Sequence, residues 1–117
     1  MTNQLSARRK KTLEIFYQGA TVKDASQIRS ALTNDFTFKG PIGNHDNPDA
    51  FAQSLLAFDG TVTESKMIAE GDNLVHLYTL DIGVKIPMCD VIEFRGDKLA
   101  SMVLYTDSKL FDVIGTH

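Results

Sequence analysis

The stretch Thr61–Thr106, TVTESKMIAE GDNLVHLYTL DIGVKIPMCD VIEFRGDKLA SMVLYT, decides the fold. Apolar and polar residues alternate with a period of two through Thr61 to Glu70, Leu74 to Ile82, Ile86 to Phe94 and Lys98 to Thr106, which predicts four strands. Between them, Gly71-Asp72-Asn73, Gly83 to Lys85 and Arg95-Gly96-Asp97 read as turns. Connections this short join neighbouring antiparallel strands, so the expected arrangement is a hairpin-connected meander. Pro87 falls near the start of the third strand, where a lost ladder hydrogen bond is tolerated.

Upstream of Thr61 the period lengthens to that of helices. Leu13, Phe16, Tyr17 and Ala20 form one apolar stripe, which predicts a helix from Ser6 to a stop near Gly19. A second helix opens at Asp24, whose carboxylate can accept from first-turn amides, with Gln27 completing a capping-box pattern. Ile28, Ala31 and Leu32 make its buried face, and Thr33-Asn34-Asp35 is expected to end it. Phe36-Thr37-Phe38 alternates like a short strand before the Gly40-Pro41-Ile42-Gly43 turn. A third helix takes Asn47 as its cap and Pro48 in its first turn, with Phe51, Leu55 and Phe58 as its apolar face and Gly60 as its end. The expected fold is α+β: one domain over residues 1–117, with N-terminal helices packed on one face of a curved antiparallel sheet.

Composition narrows the function classes. The chain has 117 residues, 43% of them apolar, with 12 Lys and Arg against 15 Asp and Glu. That length suits one compact core. No stretch approaches the ~18 uninterrupted apolar residues of a membrane span, and Met1 to Lys11 lacks the apolar run of a secretory leader. The single cysteine, Cys89, excludes a disulfide framework and suits a reducing compartment, so the expected location is cytoplasmic. Arg8, Arg9, Lys10 and Lys11 form the one basic run, read as the solvated start of a helix. The remaining residues carry eight basic against fifteen acidic groups, which repel phosphate, so no nucleic-acid partner is expected.

Both faces of the central strands are apolar, and three helices can cover only one. Val75, Leu77, Val91, Val103 and Tyr105 share the other face, which predicts a homodimer through the sheet.

The order of elements, together with Phe36–Gly43, Asp90-Val91-Ile92-Glu93-Phe94 and Met102-Val103-Leu104-Tyr105, resembles the nuclear transport factor 2-like superfamily, particularly its small SnoaL-like and ketosteroid isomerase-like members. The resemblance extends over roughly residues 5 to 112. It implies a cone-shaped, cystatin-like domain with an apolar cavity between helices and concave sheet, and usually a dimer. The scaffold hosts isomerases, cyclases, dehydratases, hydrolases and non-catalytic domains, so it leaves the reaction open. Residue by residue, the position of the ketosteroid isomerase general base is Gly40, which has no side chain to take a proton. The position of the oxyanion-hole tyrosine is Phe16, with Tyr17 beside it. The strand aspartate does match, at Asp90. One match in three argues against steroid isomerase activity.

By strand alternation Asp90 shares its face with Met88, Ile92 and Phe94, and a meander in ordinary register puts His76 and Tyr78 on the same side. A carboxylate on an apolar face needs partners, or its pKa rises. His76 beside Asp90 suits a general base, and Tyr78 could donate to a developing oxyanion, so these three are the expected catalytic group. The structural alternative is a buried polar cluster that satisfies itself. Phe16, Tyr17, Phe38, Phe51, Leu55, Met88, Met102 and the loop residue His45 are expected to contact ligand, with Asp46 beside His45 at the mouth. No ligand spacing for a metal occurs, and Gly71, Gly83 and Gly96 are turn residues, so neither metal nor cofactor is expected. Cys89 and Asp81 fall on the opposite face and read as packing and solvent-edge residues. The expected function is capture of a small hydrophobic, carbonyl-containing molecule, with proton transfer of the isomerase, cyclase or dehydratase type. The alternative is a ligand-binding or dimerisation domain without catalysis.

Overall fold

The computed structural model describes residues 2–41, 43–57 and 59–107; Ile42 and Phe58, expected in a turn and on the last helix, lie outside the described residues. Helix α1 (Thr2–Val22) continues past Gly19. A Cβ at Gly19 would stand 3.0 Å from both the backbone nitrogen and the Cγ1 of Ile28, so this glycine admits helix α2 (Ala25–Ser30) rather than ending α1. The stop is Lys23, in the left-handed region at φ 59°, where the Asp24 amide returns to the Gly19 carbonyl at 2.9 Å in a Schellman turn. Asp24 caps α2 as expected, accepting from the Gln27 amide at 3.1 Å. The reciprocal half of the capping box does not form. Gln27 Nε2 donates instead to the Ile15 carbonyl and Gln18 Oε1, tying α2 to α1.

Strand β1 spans Leu32–Gly40, so Thr33-Asn34-Asp35 is extended rather than a turn. Ladder pairs with the sixth strand at Leu32 and at Thr37 flank this stretch, and residues 33–36 lie in the irregularity between them. Leu32 pairs with Leu99, whose amide donates to the Ala31 carbonyl at 2.9 Å. The Arg29 guanidinium adds bonds to the Leu32 carbonyl, Asn34 and Asp49. A short strand β2 (Gly43–His45) folds back on β1, hidden in the sequence by its turn-like composition. Helix α3 (Pro48–Ser54) is capped by Asn47 Oδ1, which accepts from the Asp49 and Ala50 amides, and a single 3-10 turn, Leu55–Ala57, follows.

The meander then runs through β3 (Thr61–Glu70), β4 (Asn73–Asp81), β5 (Lys85–Arg95) and β6 (Lys98–Thr106). The curved sheet has the order β2-β1-β6-β5-β4-β3. It is mixed rather than wholly antiparallel, because β1 lies parallel to β6. The segment through α3 carries the chain to the far edge, and the meander brings it back beside β1. Leu13, Phe16, Ile28, Phe36, Phe51, Ile92 and Leu99 are buried between helices and sheet as one core.

Two local features shape the sheet. In β3, Glu64 and Ser65 together oppose Tyr78, a bulge with Glu64 at φ 55°. At the other end Arg9 departs from its expected solvated role. Its guanidinium donates to the Gly96 carbonyl at 2.8 Å, the Gly71 carbonyl at 3.2 Å and Asp72 at 2.8 Å, and lies 5.1 Å from the Phe94 ring centroid. Lys10 and Lys11 stay exposed, as expected of a solvated helix start. Among the described residues, no helix is long and apolar enough to cross a membrane.

Candidate functional site

The site lies where α1 crosses the inner face of β4 and β5. His76 and Asp90 are directly paired across these strands, and Asp90 is paired in turn with Leu104 of β6. Tyr78 lies two residues along from His76, on the same face. Tyr17 reaches the group from α1. Its hydroxyl donates to Asp90 Oδ2 at 2.9 Å, and the Tyr78 hydroxyl donates to the same oxygen at 2.9 Å. Phe16, one helical position away, turns instead into the core and stacks on Phe51. Tyr17 therefore supplies the hydroxyl that Phe16 lacks.

His76 is 2% exposed, yet it does not bond to Asp90. Its ring stacks on Tyr78 with centroids 4.4 Å apart and meets Tyr17 edge-on at 4.7 Å. Nε2 shares a hydrogen bond with Ser65 Oγ, and Nδ1 has no partner among the described residues. The expected orientation of His76 by Asp90 is thus replaced by aromatic packing and a Ser65 contact, because both tyrosines hold the carboxylate. Strand alternation alone does not indicate Ser65, which stands opposite Tyr78 within the β3 bulge and reaches the histidine diagonally.

Electrostatics follow from burial. Asp90 is 3% exposed, and desolvation pushes its carboxyl up to about 6, with the two tyrosyl donors pulling the other way. Desolvation, and then the Asp90 charge, raise the Tyr17 and Tyr78 hydroxyls above the ordinary phenol range. Burial lowers the His76 imidazole to about 4, so the ring is neutral at physiological pH. The Cys89 thiol, on the outer face between Leu77 and Tyr105, is raised by burial and by Asp90, which suits packing rather than nucleophilic attack.

A cavity of about 320 Å³ opens beside this cluster. Phe16, Tyr17, Phe38, His45, Phe51, Leu55, Met88 and Met102 line it together with Tyr78 and Asp90. His76 and Asp46 do not. Thr21, Ser54, Gly60, Val62, Leu80 and Leu104 complete much of the wall. Two of these were legible in the strand phase, since Val62 pairs with Leu80 and Leu80 shares its face with Tyr78. At Gly40, a Cβ would fall 2.8 Å from Phe38 Cζ, so a base at that position would have to displace the Phe38 ring. Among the described residues, no group of three His, Cys, Asp or Glu side chains could hold a metal ion.

Helices folded over a mixed sheet in this order define the nuclear transport factor 2-like class of fold. Within it, the chain belongs to the SnoaL-like domain family, whose model matches residues 13–102. A nuclear transport factor 2-like protein of unknown function from Cytophaga hutchinsonii superposes with a TM-score of 0.80 at 17% identity, over 89% of this chain and 94% of that one. A candidate polyketide cyclase from Xanthomonas campestris gives 0.76 at 14% identity, over 90% and 94%. A candidate ketosteroid isomerase from Kribbella flavida gives 0.72 at 11% identity, over 86% and 78%. Identities this low establish the shared fold alone. No curated protein sequence matches the chain.

Proposed function

We propose that the protein binds a small hydrophobic, enolisable carbonyl compound in this cavity and that Asp90 exchanges a proton with it. The observation that carries the reading is the convergence of two tyrosyl hydroxyls on one buried carboxylate in the wall of a largely apolar cavity. A carboxyl poised at about 6 can both take and return a proton near neutral pH. Asp90 takes the proton from the carbon beside the carbonyl and returns it to the oxygen, giving the enol and restoring the carboxylate. Tyr17 and Tyr78 hold the carboxylate in place through Oδ2. This differs from the ketosteroid isomerase arrangement, whose base position is Gly40 here.

Exchange of the α-protons of 1-tetralone for deuterium, followed by proton NMR in D2O, tests the proposal. Asp90→Asn should slow the protein-dependent exchange by about 100-fold or more. Equal rates in wild type and variant would remove Asp90 from the chemistry. Binding without any protein-dependent exchange would leave the non-catalytic alternative.

We also propose that two copies pair through the outer sheet face. Ile68, Val75, Val91 and Val103 form one cross-strand row there, and Leu77, Cys89 and Tyr105 a second. Tyr105 is 60% and Leu77 38% exposed, an apolar surface that a partner would cover. The single thiol suits a reducing, cytoplasmic setting for such a dimer.

A further inference from the structure

The hydrogen bonds already made in the cavity wall restrict what a ligand must offer. Four hydroxyl groups stand in the wall, and each has already spent its proton inside the protein. Tyr17 and Tyr78 donate to Asp90 Oδ2. Thr21 Oγ1 donates to the Tyr17 carbonyl at 3.0 Å, and Ser54 Oγ donates to the Phe51 carbonyl at 2.6 Å. A carboxylate oxygen has two lone pairs, so the two tyrosines fill Oδ2. Asp90 Oδ1 accepts nothing from the described residues. Among the side chains of the wall, only His45 retains a ring nitrogen able to donate, and its nearest aromatic neighbours are Phe38 and Phe51, about 6 Å away between centroids.

The geometry points to a ligand that donates a hydrogen bond: a phenol, or the enol form of a carbonyl compound, with its hydroxyl on Asp90 Oδ1. This rests on the cavity being the ligand site proposed above, and it names the form in which the ligand is held. A carbonyl oxygen brought to the same place while Asp90 is ionised would meet only acceptors, and burying it without a donor is unfavourable. At an interior packing density of about 0.74, the cavity of about 320 Å³ holds roughly 240 Å³ of ligand, which leaves ample room for a two-ring probe. The enol is also the product of the proton exchange assigned to Asp90. Its preferential binding would pull the tautomeric equilibrium of a bound ketone towards the hydroxyl form.

Three probes of one ring system separate the possibilities by calorimetric titration of the wild-type protein. 2-Naphthol carries a donor, 2-methoxynaphthalene an ether acceptor, and 2-naphthaldehyde a carbonyl that cannot enolise. The naphthol should bind at least about 10-fold more tightly than either of the others, the difference expected for one charge-assisted hydrogen bond. In Asp90→Asn that preference should shrink to within about 3-fold, with the aldehyde unchanged or improved, because an amide can donate as well as accept. Equal affinity for all three probes, or tighter binding of the aldehyde, overturns the donor requirement while leaving the cavity as a ligand site. A preference retained in full by a folded Asp90→Asn protein overturns the assignment to Asp90. Failure of all three to bind overturns the donor requirement and the ligand site together. The wild-type comparison decides the first of these even if the variant does not fold.

Discussion

His76 and Asp90 sit opposite each other, and burial moves their titrations towards each other in opposite directions. The unfolded chain ionises Asp90 near 3.8, whereas the folded protein keeps it protonated up to about 6. Across that window the folded state holds the extra proton, so this group's contribution to stability is full at low pH and is lost as pH rises through about 6. His76 does the reverse. It charges near 6.5 when unfolded but only near 4 when folded, so its contribution is present above 6.5 and is lost as pH falls towards 4. Each effect is worth roughly 3 kcal/mol across nearly the same range, and in the wild type they offset each other. Single variants expose them. Urea unfolding of Asp90→Asn should lose about 2–3 kcal/mol relative to wild type between pH 7 and pH 4, while His76→Phe should gain a similar amount. Parallel pH profiles for all three proteins would refute the opposed titrations. The neighbouring Tyr17, Tyr78 and Cys89 are all raised and stay protonated throughout this range.

At the scale of elements, Arg9 joins α1 to two hairpin turns at once, β3–β4 through Gly71 and Asp72, and β5–β6 through Gly96. Its side chain is only 13% exposed, so these bonds are shielded from water more than an ordinary surface ion pair. Arg9→Ala should cost about 2–3 kcal/mol in chemical denaturation. Arg9→Lys should recover little of that, because an ammonium group cannot reproduce a planar fork aimed at two carbonyls and a carboxylate. A loss below about 0.5 kcal/mol for the alanine variant would reduce Arg9 to the solvated residue its basic neighbours suggest. That role was not legible in Arg8-Arg9-Lys10-Lys11, since four adjacent cations look alike until the helix fixes which one faces the turns. The caps Asp24 and Asn47 were legible, because a cap bonds only to the residues that follow it. β1 was read too short for the converse reason. Leu32 and Thr37 find their partners in β6, more than 60 residues away, and Arg95 of β5 holds Asp35 in the irregular stretch between them.

For the whole molecule, the outer sheet face makes the proposed dimer testable without knowledge of the ligand. Size-exclusion chromatography with light scattering should give twice the monomer mass at micromolar concentration. Tyr105→Glu combined with Leu77→Glu should give a monomer that keeps its fold, because both side chains lie on the face away from the core. A monomeric wild type would overturn the pairing. Strand alternation and caps encode locally the four meander strands, two well-capped helices, and Met88, Asp90, Ile92 and Phe94 on one buried face. The alternation of β4, set against Asp90, also places Tyr78 on that face. Packing between elements sets the rest: Tyr17 rather than Phe16 reaches Asp90 from 73 residues away, Ser65 takes His76, and β1 lies parallel to β6. Those outcomes depend on the rotation of α1 over the sheet, a bulge that shifts register by one residue, and the path of a crossover. A side-chain hydrogen bond tolerates only a few tenths of an ångström, and no local period carries that information across separate elements.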